Sequence, residues 1–307
     1  MMSSCKFVSN ISTKTKYKIG TYNVANSIQD ENSESSKFCQ RIDKIIDTII
    51  KLDCDILGIN ELRQFRDADN ELAYPNNFLG KIKNNYSYIY EYMNNSDLSF
   101  ANGQIYKRDK VFPVKTVKYW LSETPDYPSD SWGNGYGRIL LGVKYHPIID
   151  DKINISSSLW IYNVHLGLGE KEKNECVKLI PILIEKDNNN EPFVLMGDFN
   201  FFDDLDGKIQ RKTLIDSGMI DVGENTYFSY DTTKNCFGTF IGFDYDPYKL
   251  NFSSLLDTNN KPSRLDNIFC SSNINFENVN VFVDNEEQII KRETPSDHLP
   301  LTCLIII

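Results

Sequence analysis

The sequence predicts an α+β fold in which two β-sheets pack face to face and a few helices cover them from outside. Three observations lead to this. Short apolar, β-branched runs recur from residue 17 to residue 307. Only three stretches show helical spacing, and each lies between strands rather than in a block of its own. No repeat and no long linker divides the chain, so one core has to take up all the strands.

Tyr17–Val24 (YKIGTYNV) reads as the first strand. Gln40–Leu52 carries Ile42, Ile45, Ile46, Ile49 and Ile50 at helical spacing and reads as an amphipathic helix. Asp55–Asn60 is a strand with Glu61 at its end, and shorter strands follow over 86–92, 102–107 and 111–120. Ile139–Tyr145 and Leu159–His165 are two more. Glu170–Glu185 is a helix leading into the strand that ends in Asp198-Phe199-Asn200. Asp203, Asp204, Asp206 and Gly207 lack the alternation and closing Glu of a calcium loop. They suit the start of a short helix over Asp206–Asp216, with acidic groups at its positive end. Strands over 265–270, 279–283 and 299–307 finish the chain. Gln29–Ser36 and Asp187–Glu191 are polar insertions in loops. The expected organisation is a flexible segment over 1–16 and a single domain over 17–307.

Composition narrows the partners. The chain has 307 residues, 40% hydrophobic and 25% charged, within the ordinary globular range. Its formal net charge of −10 argues against strong non-specific binding to nucleic acid, which depends on Lys and Arg neutralising phosphates. A local basic rim could still coexist with an acidic body. The seven Cys show no CxxC or Cys/His metal spacing, which suits a reducing compartment. Met1–Lys16 lacks the apolar core of a signal peptide, and no apolar stretch approaches the ~20 residues of a membrane span. The expectation is an intracellular protein, cytoplasmic or nuclear, and a monomer.

The chemistry gathers at strand ends. Asn23, Glu61, His165, Asp198 with Asn200, Asp266, and Asp297 with His298 each follow or end an expected strand. Such ends can converge on one edge of a sandwich although they are far apart in sequence. Glu61 offers a carboxylate to a hard divalent cation, with Asn23 and Asp297 as neighbouring oxygen ligands. Asp198 can deprotonate or orient an attacking water, and Asn200 can hold it in line. His298 can donate to a phosphoryl oxygen, and an acidic neighbour such as Asp266 would keep it protonated and oriented. His165 is a second donor. His146, the remaining histidine, precedes Pro147 in no such setting and reads as structural.

At these residues the chain resembles the endonuclease/exonuclease/phosphatase superfamily, which includes deoxyribonuclease I and the exonuclease III-type repair enzymes. The segments MGDFN, RLDNIF and SDH occur in the family order, and the resemblance spans about residues 17–307. It implies a four-layer α/β/β/α sandwich of the deoxyribonuclease I-like type and Mg2+-dependent phosphoester hydrolysis, with Mn2+ as a substitute. It also implies metal contacts at Asn23 and Glu61, Asp297 on the metal or just behind its ligands, water activation at Asp198 and Asn200, and an Asp266–His298 pair. The segment VHLG places His165 as in the deoxyribonuclease I branch. Tyr119–Asp126 (YWLSETPD), Trp132 and Gly137-Arg138-Ile139 are similar to a bacterial-type branch in which the Arg faces the site, so Arg138 is expected to bind a substrate phosphate oxygen. The bland reading of Arg138 is a surface ion-pair partner.

A nucleic-acid phosphodiester is the first expected substrate, a small sugar, inositol or nucleotide phosphate ester the alternative, and a catalytically silent binding module of the same fold the rival. The aromatic-rich stretch 237–262 departs from the family's shorter GTF-type segment. Phe240, Phe243, Tyr245, Tyr248 and Phe252 could stack on a base or sugar there, or simply pack the loop against the sandwich.

Overall fold

A computed structural model describes residues 7–8, 15–26, 38–67, 69, 71–82, 85–94, 99–133, 137–202, 204–223, 239–240, 264–282 and 295–307. Along the chain these form β1 (Phe7–Val8), β2 (Lys16–Asn23), α1 (Phe38–Leu52), β3 (Ile56–Leu62), β4 (Phe65–Arg66), β5 (Leu72–Ala73), α2 (Pro75–Leu79), β6 (Tyr86–Tyr92), β7 (Ala101–Lys107), β8 (Val111–Trp120) and β9 (Ile139–Ile149). They continue with β10 (Lys152–Asn154), β11 (Leu159–His165), α3 (Glu170–Asn188), β12 (Phe193–Asp198), α4 (Leu205–Asp216), β13 (Met219–Asp221), β14 (Asp266–Ser271), β15 (Asn275–Val281) and β16 (Leu301–Ile306).

Two large sheets result. One has eight strands in the order β1-β10-β9-β11-β12-β14-β13, with β8 paired to β9. The other runs β15-β16-β2-β3-β7-β6. Between them lies a core that includes Ile19, Ile56, Val143, Ile161, Val194, Met196, Ile268 and Ile305. On the outer face of the six-stranded sheet, the α1 isoleucines 42, 45, 46 and 49 pack on Leu57, Ile59 and Ile105. On the outer face of the eight-stranded sheet, Cys176, Val177, Ile180 and Ile184 of α3 and Leu214 of α4 pack on Trp160, Tyr162 and Leu195. Three apolar layers therefore separate four structural layers, the α/β/β/α sandwich. Each fully buried aliphatic side chain stabilises it by about 1.5–3 kcal/mol relative to exposure. No helix among the described residues is long and apolar enough to cross a membrane.

Register sets the functional edge. β2 and β3 run parallel with Asn23 opposite Asn60, which leaves Glu61 one residue beyond. β11 and β12 run parallel with His165 opposite Asp198, and antiparallel β14 puts Asp266 opposite Asp198 on its other side. β16 pairs with β2, so the strand that follows His298 lies beside the strand that ends in Asn23.

Three sequence expectations need adjustment. Within segment 1–16, expected to be flexible, Phe7–Val8 pair in parallel with Ile153–Asn154 and Lys16 already belongs to β2. The strand expected over 279–283 is Asn275–Val281, with a register shift between Glu277 and Asn280. Its polar alternation fits an edge strand. The short elements β4, β5, α2, β10 and β13 were not expected, because two to five residues carry no readable periodicity.

Candidate active site

Backbone geometry at the strand ends is unusual where the chemistry lies. Glu61 and Asn200 adopt φ of 61° and 51°, in the left-handed region. Gly197 has φ 143°, and a Cβ there would lie 1.9 Å from the Val164 carbonyl oxygen, so glycine is required where β12 meets β11. Such angles persist only where the surroundings over-determine them.

The carboxylates and imidazoles converge. Asn23 Nδ2 donates to Glu61 Oε1 at 3.0 Å and to Asp198 Oδ2 at 2.9 Å. His165 Nε2 lies 3.5 Å from Asp198 Oδ2 and 3.9 Å from Glu61 Oε1. His298 Nδ1 is 2.7 Å from Asp266 Oδ2, and its Nε2 is 3.8 Å from Asp198 Oδ2. The Asn200 N–H donates to Asp198 Oδ1 at 2.9 Å, and its Nδ2 donates to the Leu166 carbonyl at 2.8 Å. Asn23, His165, Asp198, Asn200, Asp266 and His298 are all buried.

Electrostatics divide the roles. Burial pushes Glu61 up to about 7, and Asp297 adds to this. Burial also raises Asp198, but the adjoining His298 and His165, together with the Asn200 and Asn23 donors, hold it below the ordinary carboxylate range. Burial and the Arg138 charge push His165 down to about 3, which leaves a neutral imidazole. Burial works against the charge on His298, yet Asp266 and Asp198 hold its pKa well above the ordinary imidazole value. Burial raises Asp266 in turn. The pair shares one proton, and with two carboxylates flanking the ring that proton belongs on His298.

Arg138 immediately precedes β9, and its carbonyl accepts the Leu121 N–H at 2.7 Å. Burial lowers its pKa, opposed by Glu172, Glu61 and Asp198. Its Nε is buried with no hydrogen-bond partner among the described residues, and its Nη1 is 3.9 Å from Met93 Sδ. The guanidinium thus sits in the field of three carboxylates, with one buried N–H left unpaired among the described residues.

Two clusters hold cation-type ligand atoms within 4.8 Å of one another: Glu61, His165 and Asp198, and Asp198, Asp266 and His298. A buried carboxylate at Glu61 with the charges of Asp297 and Asp198 close by fits a hard divalent cation. Asp297, expected as a ligand, stands outside both clusters, although its charge reaches Glu61. Asn23 turns its amide nitrogen toward the carboxylates, while its Oδ1 accepts the Ala25 N–H at 2.9 Å. Presenting oxygen to a cation requires a half-turn of that amide.

Several further side chains support the site. Asn60 Oδ1 accepts the Asp198 N–H at 3.2 Å. Ser296 Oγ donates to the Asn23 carbonyl at 2.7 Å and accepts the His298 N–H at 3.1 Å. Arg41 of α1 donates to the carbonyls of Val24, Ala25 and Pro295, fastening the two ends of the chain's active edge together. Only Ser296 had a signal, as part of the SDH segment. From the stretch 237–262 the described residues are Thr239 and Phe240. The Phe240 ring packs edge-on to His298 with centroids 5.1 Å apart, and Thr239 Oγ1 accepts the Asp266 N–H at 2.9 Å. Phe243, Tyr245, Tyr248 and Phe252 lie outside the described residues.

Known proteins are similar to this chain. A protein of Acanthamoeba polyphaga mimivirus, uncharacterized protein L388, is 27% identical over 298 residues, covering 94% of this chain and 99% of the viral one. The Bacteroides thetaiotaomicron mannosyl-6-phosphatase Bt3783 superposes with a TM-score of 0.72 at 24% identity, covering 94% of this chain and 99% of that one. D. rerio TDP2 in complex with a single-strand DNA product gives 0.63 at 14% identity, covering 95% and 99%. Both structural likenesses establish the fold. The model of the Endonuclease/Exonuclease/phosphatase family matches residues 20–298, from the strand that carries Asn23 through His298 itself. The chain therefore belongs to that family and is a phosphoric ester hydrolase.

Proposed function

We propose that this protein is a Mg2+-dependent phosphatase of a small phosphate ester, with Mn2+ able to substitute. The observation that carries the reading is Arg138, a buried cation in the field of Glu172, Glu61 and Asp198 whose Nε has no partner among the described residues. A terminal phosphate offers two charges and accessible oxygens to such a group, more than the single charge of a phosphodiester. The net charge of −10 also disfavours a polyanion. The likeness to a mannosyl-6-phosphatase supports a sugar phosphate. Nucleic acid is the second reading, favoured by the likeness to TDP2 bound to a DNA product.

Glu61, with Asn23 after rotation of its amide, would hold the cation, which when bound would supply positive charge to the phosphoryl oxygens. Arg138 takes another of those oxygens. Asp198, held ionised, accepts a proton from a water that Asn200 keeps in line behind the phosphorus. As the water oxygen bonds to phosphorus, the bond to the leaving oxygen breaks and that oxygen takes up a proton from solvent. The His298 imidazolium, oriented through Nδ1 by Asp266, stabilises the charge that builds on the phosphoryl group. Neutral His165 donates a hydrogen bond toward the leaving oxygen.

The test is a panel of sugar phosphates, inositol phosphates, nucleotides, abasic and ordinary DNA, and RNA, run with Mg2+ or Mn2+. Asp198→Ala and His298→Ala are run beside the wild type. Phosphate release from small esters is expected, with each variant slower by about 10²–10⁴-fold, the usual worth of a positioned acid or base. Cleavage confined to polynucleotide would replace this reading with the nuclease. Near wild-type turnover in either variant would remove the assigned roles.

A further inference from the structure

Lys173, near the start of α3, is buried with 1% of its side chain exposed. Its Nζ donates to the backbone carbonyl of Asn200 at 2.9 Å and lies 3.0 Å from Glu170 Oε1. The same ammonium sits 5.0 Å from the centroid of the Phe202 ring. Glu170 is held in turn, because Gln210 Nε2 of α4 donates to its Oε2 at 2.8 Å and to Asn174 Oδ1 at 3.1 Å.

Local preferences argue against a lysine here. A cation in this part of a helix faces the positive end of the macrodipole, and burying an ammonium costs free energy unless it is paired. Packing does not call for it either, since Cys176, Val177 and Ile180 supply the apolar contact of α3. The carbonyl it binds is a special one. Asn200 is left-handed, its N–H is taken by Asp198 and its Nδ2 by Leu166, and the carbonyl is the remaining tether.

We propose that Lys173 is a positioning residue, whose ammonium clamps the Asn200 carbonyl so that the 198–200 turn presents the Asn200 side chain to the attacking water. Glu170 and Gln210 hold the clamp in place from α3 and α4. The inference rests on the water-orienting role given to Asn200 above.

A double-mutant cycle tests it, with p-nitrophenyl phosphate and bis(p-nitrophenyl) phosphate as probes in the presence of Mn2+. Lys173→Met is expected to lower kcat by about tenfold to a hundredfold, the scale of a misplacement near 1 Å, while KM stays nearly constant. In the Asn200→Ala background the same change is expected to have no further effect on kcat. Losses that simply multiply, or a Lys173→Met kcat equal to wild type, would overturn the proposal. If Lys173→Met does not fold, Glu170→Gln takes its place in the cycle, because the Glu170 side chain is 44% exposed. Its smaller loss of kcat must likewise vanish beside Asn200→Ala, and a loss that persists there overturns the proposal. Absence of wild-type turnover on both probes would bring down the reading of the site and this inference with it. Turnover with independent effects brings down the inference alone.

Discussion

Asn200 occupies a backbone angle that costs a non-glycine residue about 1–3 kcal/mol, and three hydrogen bonds hold it there. Glu172, one residue before the lysine that supplies one of those bonds, shows a different kind of tension. It is 2% exposed, and burial pushes its carboxyl up to about 7 although the Arg138 charge and a hydrogen bond from the Gly167 backbone pull it down. The folded protein keeps a proton there that an ordinary carboxyl in the unfolded chain has already lost. Between the ordinary carboxylate range and about 7 the folded state binds more protons, so raising pH through that window weakens the fold. Glu172→Gln removes the ionisation. Its melting temperature is expected to match wild type at the acid end of the window and to exceed it above about 7. Melting curves across that range check this, and a gap that stays constant with pH would refute it. At this scale the sequence shows which polar groups stand at strand ends. It hides Lys173 and Glu172, because polar residues on an amphipathic helix normally mark its solvated face.

The candidate site is shared between two sheets, and a layer of buried amides ties them together. The Asn60 Nδ2 of β3 lies 3.0 Å from Asn102 Oδ1, 3.1 Å from the Val164 carbonyl and 3.2 Å from Asn163 Oδ1, three acceptors for its two N–H groups. Asn163 of β11 donates back to the carbonyls of Ile59 at 3.0 Å and Gly103 at 2.7 Å. Gln104 of β7 reaches the Ile161 carbonyl at 2.9 Å. These bonds fix how the sheet that carries Asn23 and Glu61 sits against the sheet that carries His165, Asp198 and Asp266. Asn60→Leu would leave the Asp198 N–H and several buried oxygens unsatisfied, at about 1–3 kcal/mol for each group. A stability loss of at least about 3 kcal/mol in urea titration is expected, together with lower turnover. A variant as stable and active as wild type would contradict this role. The strands were readable because apolar runs of five to eight residues show themselves. The amides between them were not, since a lone Asn in an apolar run gives no sign of its partner across the sandwich.

At the scale of the whole molecule, the sheet that carries Asn23 and Glu61 has near its centre two strands from opposite ends of the sequence, β2 and β16, paired from Lys16–Ile306 to Thr21–Leu301. Arg41 adds a second link by joining Val24 and Ala25 to Pro295. Removing residues 295–307 takes away His298 and opens both β2 and β15 to solvent. Such a chain is expected to lose its cooperative melting transition and all turnover, and retention of a sharp transition would show that β16 is dispensable. The layered architecture was legible from the order of elements. The adjacency of β2 and β16 was not, because strand pairing across some 280 residues leaves no mark in local composition.

That pairing also gives the enzyme a birth order. On a ribosome, β2 emerges some 280 residues ahead of its partner β16, and the strands that carry His165 and Asp198 also come before that partner. Until β16 has cleared the exit tunnel there is no His298, no closed sheet and no chemistry. A message broken or a ribosome stalled at any earlier codon would therefore release a chain with no hydrolase activity, so active molecules arise only from translation that has passed β16.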